Sequence, residues 1–156
     1  MKAMDALFKK LNFKEQKQIV VLNAPESFDA NLSSIETNTS VRKKIGAKDK
    51  IEFAIVFCIK QKEIDEAIKL IAPMMEGDAI LWMCYPKGSS KKYTCDFNRD
   101  KGWDMMGKFN LESVRMVAID EDWSALRFRK MEYIKTFNRN EKMALSAIGK
   151  QIAKTK

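Results

Sequence analysis

A short loop in the middle of the chain holds the residues best suited to binding an anion. Lys87-Gly-Ser-Ser-Lys-Lys92 combines three cations, two hydroxyls and a glycine that lets the backbone approach a ligand closely. It lacks the G-x-x-x-x-G-K-[ST] pattern of a P-loop, and a solvated surface loop is the alternative interpretation. We predict that a small anionic ligand contacts Lys87, Ser89, Ser90 and Lys91.

Two charged residues after this loop could support it. Asp96 and Arg99 place a carboxylate and a guanidinium close together, which could orient the loop or take part in acid–base chemistry. A helix N-cap at Asp96 or Asp100, with Arg99 as an ion-pair partner, explains the same residues without a ligand. We include Asp96 and Arg99 in the predicted site and leave this alternative open.

The turn after the first predicted strand lacks the glycine that nucleotide-binding α/β proteins usually have there. Gln18–Leu22 is apolar and β-branched, and the residues that follow it each carry a Cβ; the first glycine is Gly46. Pro25 also lacks an N–H donor. We therefore predict no cofactor bound in the usual mode, and expect Asn23, Pro25 and Glu26 to face the Lys87 loop.

The amino-acid composition excludes several kinds of catalytic and metal-binding site. The 156 residues include no histidine, which excludes imidazole catalysis and His-based metal sites. Cys58, Cys84 and Cys95 are at least eleven residues apart, so neither a disulfide framework nor a C-x-x-C site is indicated, and we expect a reducing cytoplasm. No signal peptide or membrane span is expected. We predict no metal and no catalytic residue.

The net charge of +8 is concentrated at one end of the chain. Residues 135–156 hold six Lys or Arg against one Glu, a local charge of +5, and the other residues carry +3. We predict one Rossmann-like α/β domain over residues 1–134 and a basic helical tail over residues 135–156. A tail of this charge makes nucleic-acid binding one possible function.

Alternating and amphipathic segments predict the elements that carry these residues. Apolar β-branched runs indicate buried parallel strands, and the apolar stripe of Gln61–Met75 indicates a helix that Gly77 ends. The predicted strands are Gln18–Leu22, Ser33–Val41, Ile51–Ile59, Ala79–Tyr85, Ser113–Ile119 and Trp123–Arg129; the further helices are Lys2–Leu11 and Asp100–Phe109. This succession predicts a three-layer α/β fold with a mostly parallel sheet that ends in an antiparallel hairpin.

The final hairpin carries a possible basic surface. Arg127 and Arg129 share one face of their strand, and Arg115 joins them only if the strand register permits. A solvated sheet face is the favoured interpretation and contact with RNA is the alternative. Among the tryptophans, Trp123 is expected to be the most exposed because it adjoins the hairpin turn.

Several segments resemble a family of small bacterial proteins whose Rossmann-like fold is related to the class I methyltransferases. These are VVLNAPESF, FAIVFCI, ILWMCYPKGSS, TCDFNRD and IDEDWSALRFRK, in that order, within residues 5–131. The resemblance implies a fold rather than a reaction. It places Asn23 and Pro25 in the turn after the first strand, and Lys87 and Ser90 at the exit of the fourth strand. The remaining matching positions lie in the next loop (Asp96, Arg99 and Asp100) and on the hairpin (Trp123, Ser124 and Arg127).

Methyltransferases usually have an acidic residue at the end of the second strand to hold the ribose, whereas Glu36 is expected at the beginning of that strand here. The favoured function is therefore a non-catalytic or degenerate Rossmann-like module that binds a small anionic ligand or a protein partner. A methyltransferase or other nucleotide-dependent enzyme with an atypical cofactor loop is the first alternative. Nucleic-acid binding through the tail is the second.

Overall fold

The structure is a computed structural model that describes residues 6–14, 16–36, 39–46, 50–97 and 102–134. The predicted tail, Arg99 and Asp100 lie outside these residues. The strands are β1 Gln18–Leu22, β2 Ser40–Arg42, β3 Ile51–Phe57, β4 Met75–Pro86, β5 Leu111–Ala118 and β6 Trp123–Lys130. The α-helices are α1 Ala6–Lys10, α2 Asp29–Ser33, α3 Gln61–Ile71 and α4 Asp104–Lys108, and 3₁₀ turns cover Glu26–Phe28, Ala72–Met74 and Met131–Tyr133.

All six strands form one sheet in the order β2-β1-β3-β4-β6-β5. The first four strands in this order pair in parallel, and β6 runs antiparallel between β4 and β5. The predicted mostly parallel sheet with a terminal antiparallel hairpin is therefore confirmed. The carboxyl ends of β1, β3 and β4 lie at one edge of the sheet, where this architecture leaves room for ligands.

Helices cover both faces of the sheet and make three layers. On one face α3 and α4 pack over a core that includes Ala54, Leu81 and Phe128. On the other face α1 and α2 pack over a core that includes Phe53 and Trp82. Each core takes alternate residues of the same strands, because successive side chains point to opposite faces.

The best-defined helix, α3, follows from its apolar spacing. Ile64, Ala67, Ile68 and Ile71 are buried on one side, as their i, i+3, i+4, i+7 positions predict. Both Ile59 and Lys60 donate their backbone N–H to Oε1 of Glu63, at 2.9 Å each, so the first turn of α3 is held by a side chain of its own.

Two predictions about boundaries are wrong. Ser33–Val41 is not one strand: Ser33 ends α2, and only residues 40–42 form β2. The seven-residue spacing of Phe28, Leu32 and Ile35, all buried, is a helical stripe that outweighs the β-branched composition.

Gly77 does not end α3 either. The helix stops at Ile71, a 3₁₀ turn containing Pro73 follows, and β4 begins at Met75. Gly77 lies inside β4 with a φ of 59°, beside an irregularity in the β3–β4 register at Ile51. Its freedom to adopt the left-handed region serves this irregular strand start rather than a helix cap.

Candidate functional site

A cavity of about 500 Å³ opens at the carboxyl end of β4. Its lining comes from residues 85–88 and 90, from residues 93–95 and 97 of the following loop, and from Met116 and Ser124 of the hairpin. We call it the strand-exit cavity. Tyr85 pairs with Ser124 in the β4–β6 ladder, so both side chains lie on the face that α3 and α4 cover.

Aromatic and apolar side chains form most of the cavity wall. Tyr85 contacts Phe97 and Trp103, with ring centroids 6.0 and 5.8 Å apart. Phe97 and Trp103 lie 5.3 Å apart in an edge-to-face arrangement. Met116 is 48% exposed, and its sulfur lies 3.5 Å from the Tyr85 hydroxyl. The cavity can therefore receive an apolar or aromatic body.

Among the described residues, Lys87 is the one cation that lines the cavity. It is half-buried, and its Nζ has no ion-pair partner among the residues that the structure describes. Lys91, also predicted to contact the ligand, is exposed and does not line the cavity, and neither does Ser89. The structure thus brings Lys87 and Ser90, but not Lys91 or Ser89, to the cavity wall.

The turn of the β5–β6 hairpin holds the loop that forms this wall. Ser90 donates its hydroxyl to Oδ1 of Asp122 at 2.9 Å and accepts the Tyr93 N–H at 3.1 Å. The Lys87 N–H donates to the Asp122 carbonyl at 2.8 Å. Asp120 holds the turn itself by accepting the N–H groups of Asp122 and Trp123. Ser90 therefore has a structural role, which its place in a run of polar residues does not reveal.

Gly102 packs closely against Phe97, one of the residues that line the cavity. Its φ is 106°, and a Cβ added there would lie 2.6 Å from the Cβ of Phe97, which lines the cavity. Only glycine fits at this distance without moving Phe97.

Asp96 caps a helix, although not one that begins near it in the sequence. Its Oδ1 accepts the N–H of Gln61 at 2.7 Å, at the start of α3. The Asp96 N–H in turn donates to the Ile59 carbonyl at 3.3 Å. Asp96 thus ties the loop after β4 to the exit of β3 and does not line the cavity.

The first turn, at the end of β1, does not line the cavity either. Asn23 and Glu26 are exposed and Pro25 is half-buried. Asn23 has a φ of 60°, so an asparagine takes a left-handed conformation in the turn where nucleotide-binding α/β proteins usually have glycine. The turn closes through the Phe28 N–H, which donates to the Pro25 carbonyl at 2.9 Å.

The end of β2 carries the opposite charge from a ribose-binding carboxylate. The strand ends at Arg42, and Lys43 and Lys44 follow as exposed residues. Glu36, expected at the beginning of this strand, instead lies in the turn after α2.

The thiols differ in their surroundings. Burial, with a smaller effect of the Glu63 charge, raises the pKa of Cys58 far above its ordinary value. Burial also raises the pKa of Cys84, with smaller effects of Cys58 and Asp120. Cys95 is half-buried at the cavity and donates its S–H to the Phe97 carbonyl at 2.8 Å. The first two thiols are therefore inert packing residues.

Trp123 is not the exposed tryptophan that its place beside a turn suggested. It is 4% exposed and packs against Phe57 and Tyr93, with ring centroids 5.1 and 4.9 Å away.

The described residues hold no group of three or more His, Cys, Asp or Glu side chains able to bind a metal ion. In this part of the chain no helix is long and apolar enough to cross a bilayer.

Solved structures share this arrangement of strands and helices. The pyocyanin biosynthetic protein PhzM aligns over 80% of this chain and 53% of its own, at 9% identity and a TM-score of 0.54. N-methyltransferase NodS from Bradyrhizobium japonicum WM9 aligns over 80% of this chain and 92% of its own, at 10% identity and a TM-score of 0.52. The mitomycin 7-O-methyltransferase MmcR aligns over 72% of this chain and 48% of its own, at 8% identity and a TM-score of 0.53.

This is a methyltransferase-like Rossmann fold. The chain spans about half the length of PhzM and MmcR and most of NodS. No protein-family model matches the sequence, and no curated protein matches it. At identities of 8–10% the likeness establishes the fold and leaves the activity to the site itself.

Proposed function

We propose that the protein is a Rossmann-like module that binds a small anionic ligand with an aromatic or other apolar body in the strand-exit cavity. The observation that carries this proposal is the cavity itself, about 500 Å³ at the carboxyl end of a central strand. Its size lies in the range of small-molecule sites, and its position is where open α/β sheets bind ligands. The three free cysteines support a reducing, cytoplasmic setting for this binding.

The cavity's polar groups favour an anion. Lys87 supplies a positive charge with no ion-pair partner among the described residues, and none of the described residues that line the cavity carries a carboxylate. The hydroxyls of Thr94 and Ser124 add donors for a second polar group of the ligand. An aromatic or aliphatic body would lie against Tyr85 and Phe97, with its carboxylate or phosphate toward Lys87.

The same lining favours binding over catalysis. General acid–base chemistry needs a positioned group with a suitable pKa. The described part of the lining contains no carboxylate, and the chain has no histidine. Among possible nucleophiles, the Ser90 hydroxyl donates to Asp122 and the Cys95 thiol donates to a carbonyl. A non-catalytic module is therefore the simplest function for this cavity.

A methyltransferase is the second candidate, and the shared fold is the observation that favours it. The same fold occurs in LepI, whose solved structure is a complex with S-adenosylmethionine, at 10% identity and a TM-score of 0.50. Against this candidate, the first turn presents Pro25 without an N–H, and β2 ends in cations where a ribose-binding carboxylate would serve. We therefore expect S-adenosylmethionine not to bind at the first turn.

A thermal-shift comparison of four probes separates these functions. Phenyl phosphate and benzoate combine a ring with an anion, benzyl alcohol has only the ring, and S-adenosylmethionine tests the alternative. A ring-bearing anion at about 100 times its Kd adds about 2.7 kcal/mol of apparent stability, or roughly 5–10 °C for a chain of this size. Titration calorimetry then measures each Kd.

Two lysines of one loop provide a matched pair of variants. Lys87→Ala should weaken binding of phenyl phosphate or benzoate at least about tenfold, because it removes the cation at the cavity. Lys91→Ala, which removes an exposed cation outside the cavity, should leave the Kd unchanged. The bound anion should also slow alkylation of Cys95. Equal effects of the two variants, or a micromolar Kd for S-adenosylmethionine that weakens in Asn23→Ala, would defeat the proposal.

A further inference from the structure

Two arginines of the terminal hairpin meet on the sheet face opposite the strand-exit cavity. Arg127 in β6 lies directly across from Arg115 in β5 and, on its other side, from Trp82 in β4. Arg127 shares its face with Trp123 and Ala125, which belong to the core under α1 and α2. Ser124, which lines the cavity, points to the other face.

A β-bulge creates this pair. The β5–β6 register shifts between Ser113 and Arg115, so Ser113 faces Phe128 and Arg115 faces Arg127. Without the shift Arg115 would face Leu126 and point to the opposite side of the sheet, because one residue of slip exchanges the two faces. Bulges commonly redirect a side chain at functional positions. Here the redirected side chain is a second guanidinium beside the first.

Neither arginine has a hydrogen-bond or ion-pair partner in the described part of the chain. The Nε of Arg127 is buried and lacks a hydrogen bond, and neither Arg127 nor Arg115 forms an ion pair there. Asp78, an acidic residue of the same face, forms an ion pair with Arg129. The Nε of Arg129 donates to the Asp78 carboxylate at 2.8 Å. Glu112 lies across from Arg129 rather than Arg127.

This arrangement costs stability in the absence of a ligand. Like charges directly opposite in an antiparallel ladder repel each other, and a half-buried guanidinium without a partner loses hydration. Consistent with this cost, burial lowers the pKa of Arg127. The charges of Arg129 and Arg115 lower it further, and the charge of Asp78 offsets part of this effect. An anion between the two guanidinium groups would remove both penalties.

We propose that Arg115 and Arg127 form a binding site for one phosphate group of a small molecule. The planar fork of each guanidinium matches two phosphate oxygens, which a lysine pair would not match in the same way. Two arginines suit one phosphate group. A nucleic-acid surface would need a longer series of free cations, and the next arginine along β6 is already neutralised by Asp78.

Titration calorimetry of the full chain with sodium diphosphate tests the site, with sodium chloride at equal ionic strength as the blank. Arg115→Gln removes an exposed guanidinium without disturbing the core and should weaken diphosphate binding at least about tenfold. Arg127→Gln should do the same. Lys69→Gln removes one positive charge from an exposed position of α3, on the other side of the sheet, and should leave the Kd unchanged.

A second measurement follows the repulsion between the two arginines. Without diphosphate, Arg115→Gln should melt at a higher temperature than the unaltered protein, and diphosphate should raise the melting temperature of the unaltered protein only. Equal weakening by Lys69→Gln would overturn the proposal, as would diphosphate binding unchanged in both arginine variants. Tighter binding of a single-stranded oligonucleotide than of diphosphate, lost in Arg115→Gln, would overturn the assignment to a small molecule.

Discussion

Replacing Ser90 with alanine should release the wall of the strand-exit cavity, whereas the same change at Ser89 should not. Ser90 makes three contacts that alanine cannot make: its hydroxyl donates to the Asp122 carboxylate at 2.9 Å, and it accepts the Tyr93 N–H at 3.1 Å and the Lys92 N–H at 3.3 Å. Ser89 is exposed and makes no hydrogen bond with a described residue. The two adjacent serines therefore differ in structural role while sharing composition and chain position.

The size of the effect follows mainly from the contacts with Asp122 and Tyr93. A hydrogen bond to a charged group contributes about 1.5–3 kcal/mol when buried, and partial exposure of this pair places it at the low end. The half-buried Tyr93 amide that remains unpaired adds to the loss. We expect Ser90→Ala to lower the free energy of unfolding by about 2 kcal/mol, which for a chain of this length lowers the melting temperature by about 4–8 °C.

A double-mutant cycle separates the side-chain contact from the rest of the loop. Asp122→Ala removes the carboxylate but keeps the carbonyl that accepts the Lys87 N–H at 2.8 Å, so the loop retains one attachment to the hairpin. The coupling between Ser90→Ala and Asp122→Ala should be about 1 kcal/mol. Thermal unfolding measures the stabilities, and hydrogen exchange at Tyr93 reports local opening. Equal melting temperatures for the Ser89 and Ser90 variants, or a coupling near zero, would refute the reasoning.

Three further predictions concern Gly102, Asp78 and Cys95. Gly102→Ala should destabilise the fold by about 2 kcal/mol or more, because it combines a left-handed φ with a contact of 2.6 Å, whereas Gly88→Ala, which enters open space, should have little effect; denaturant unfolding compares them. Asp78 has a pKa lowered by its hydrogen bond from Arg129, so this pair should stabilise the protein above about pH 4 and lose its effect as the pH falls through the lowered value. The contribution is at most about 1 kcal/mol because both side chains remain in contact with solvent, with 30% and 35% of their surfaces exposed, and Asp78→Asn should make the acid limb of the stability curve correspondingly shallower. Cys95 should be alkylated in the folded protein well before the two buried thiols, as mass spectrometry of the labelled chain would reveal; equal rates would contradict their burial.

The sequence by itself determined the order and type of most elements. Apolar β-branched runs predict β1, β3, β4 and the hairpin, and the stripe from Ile64 to Ile71 predicts α3, because these patterns depend only on local periodicity. The sequence also predicted that Lys87 belongs to the ligand-binding site at the exit of β4, because the end of a strand can be located once the strand itself is predicted. The prediction of the second strand is wrong because the helical spacing of Phe28, Leu32 and Ile35 outweighs the β-branched composition that follows it.

The tertiary structure alone decided which of the predicted site residues lie together. Asn23 and Lys87 both follow strands of one sheet, yet the cavity is built on one face from Tyr85 and from Ser124, which lies 39 positions further along the chain. Likewise Asp96 pairs with the start of α3, 35 positions earlier in the chain. Such contacts depend on which strands are neighbours and on how the loops between them fold back.

Register is the clearest case of information that a local pattern does not contain. Alternation along β5 and β6 shows which residues of one strand share a face, but it does not show which residues of the other strand stand beside them. The bulge at Ser113 places Arg115 beside Arg127, and a regular ladder would have placed it on the opposite face. One extra residue in one strand thus decides whether the hairpin carries two separate arginines or an arginine pair, because every side chain beyond the bulge changes sides.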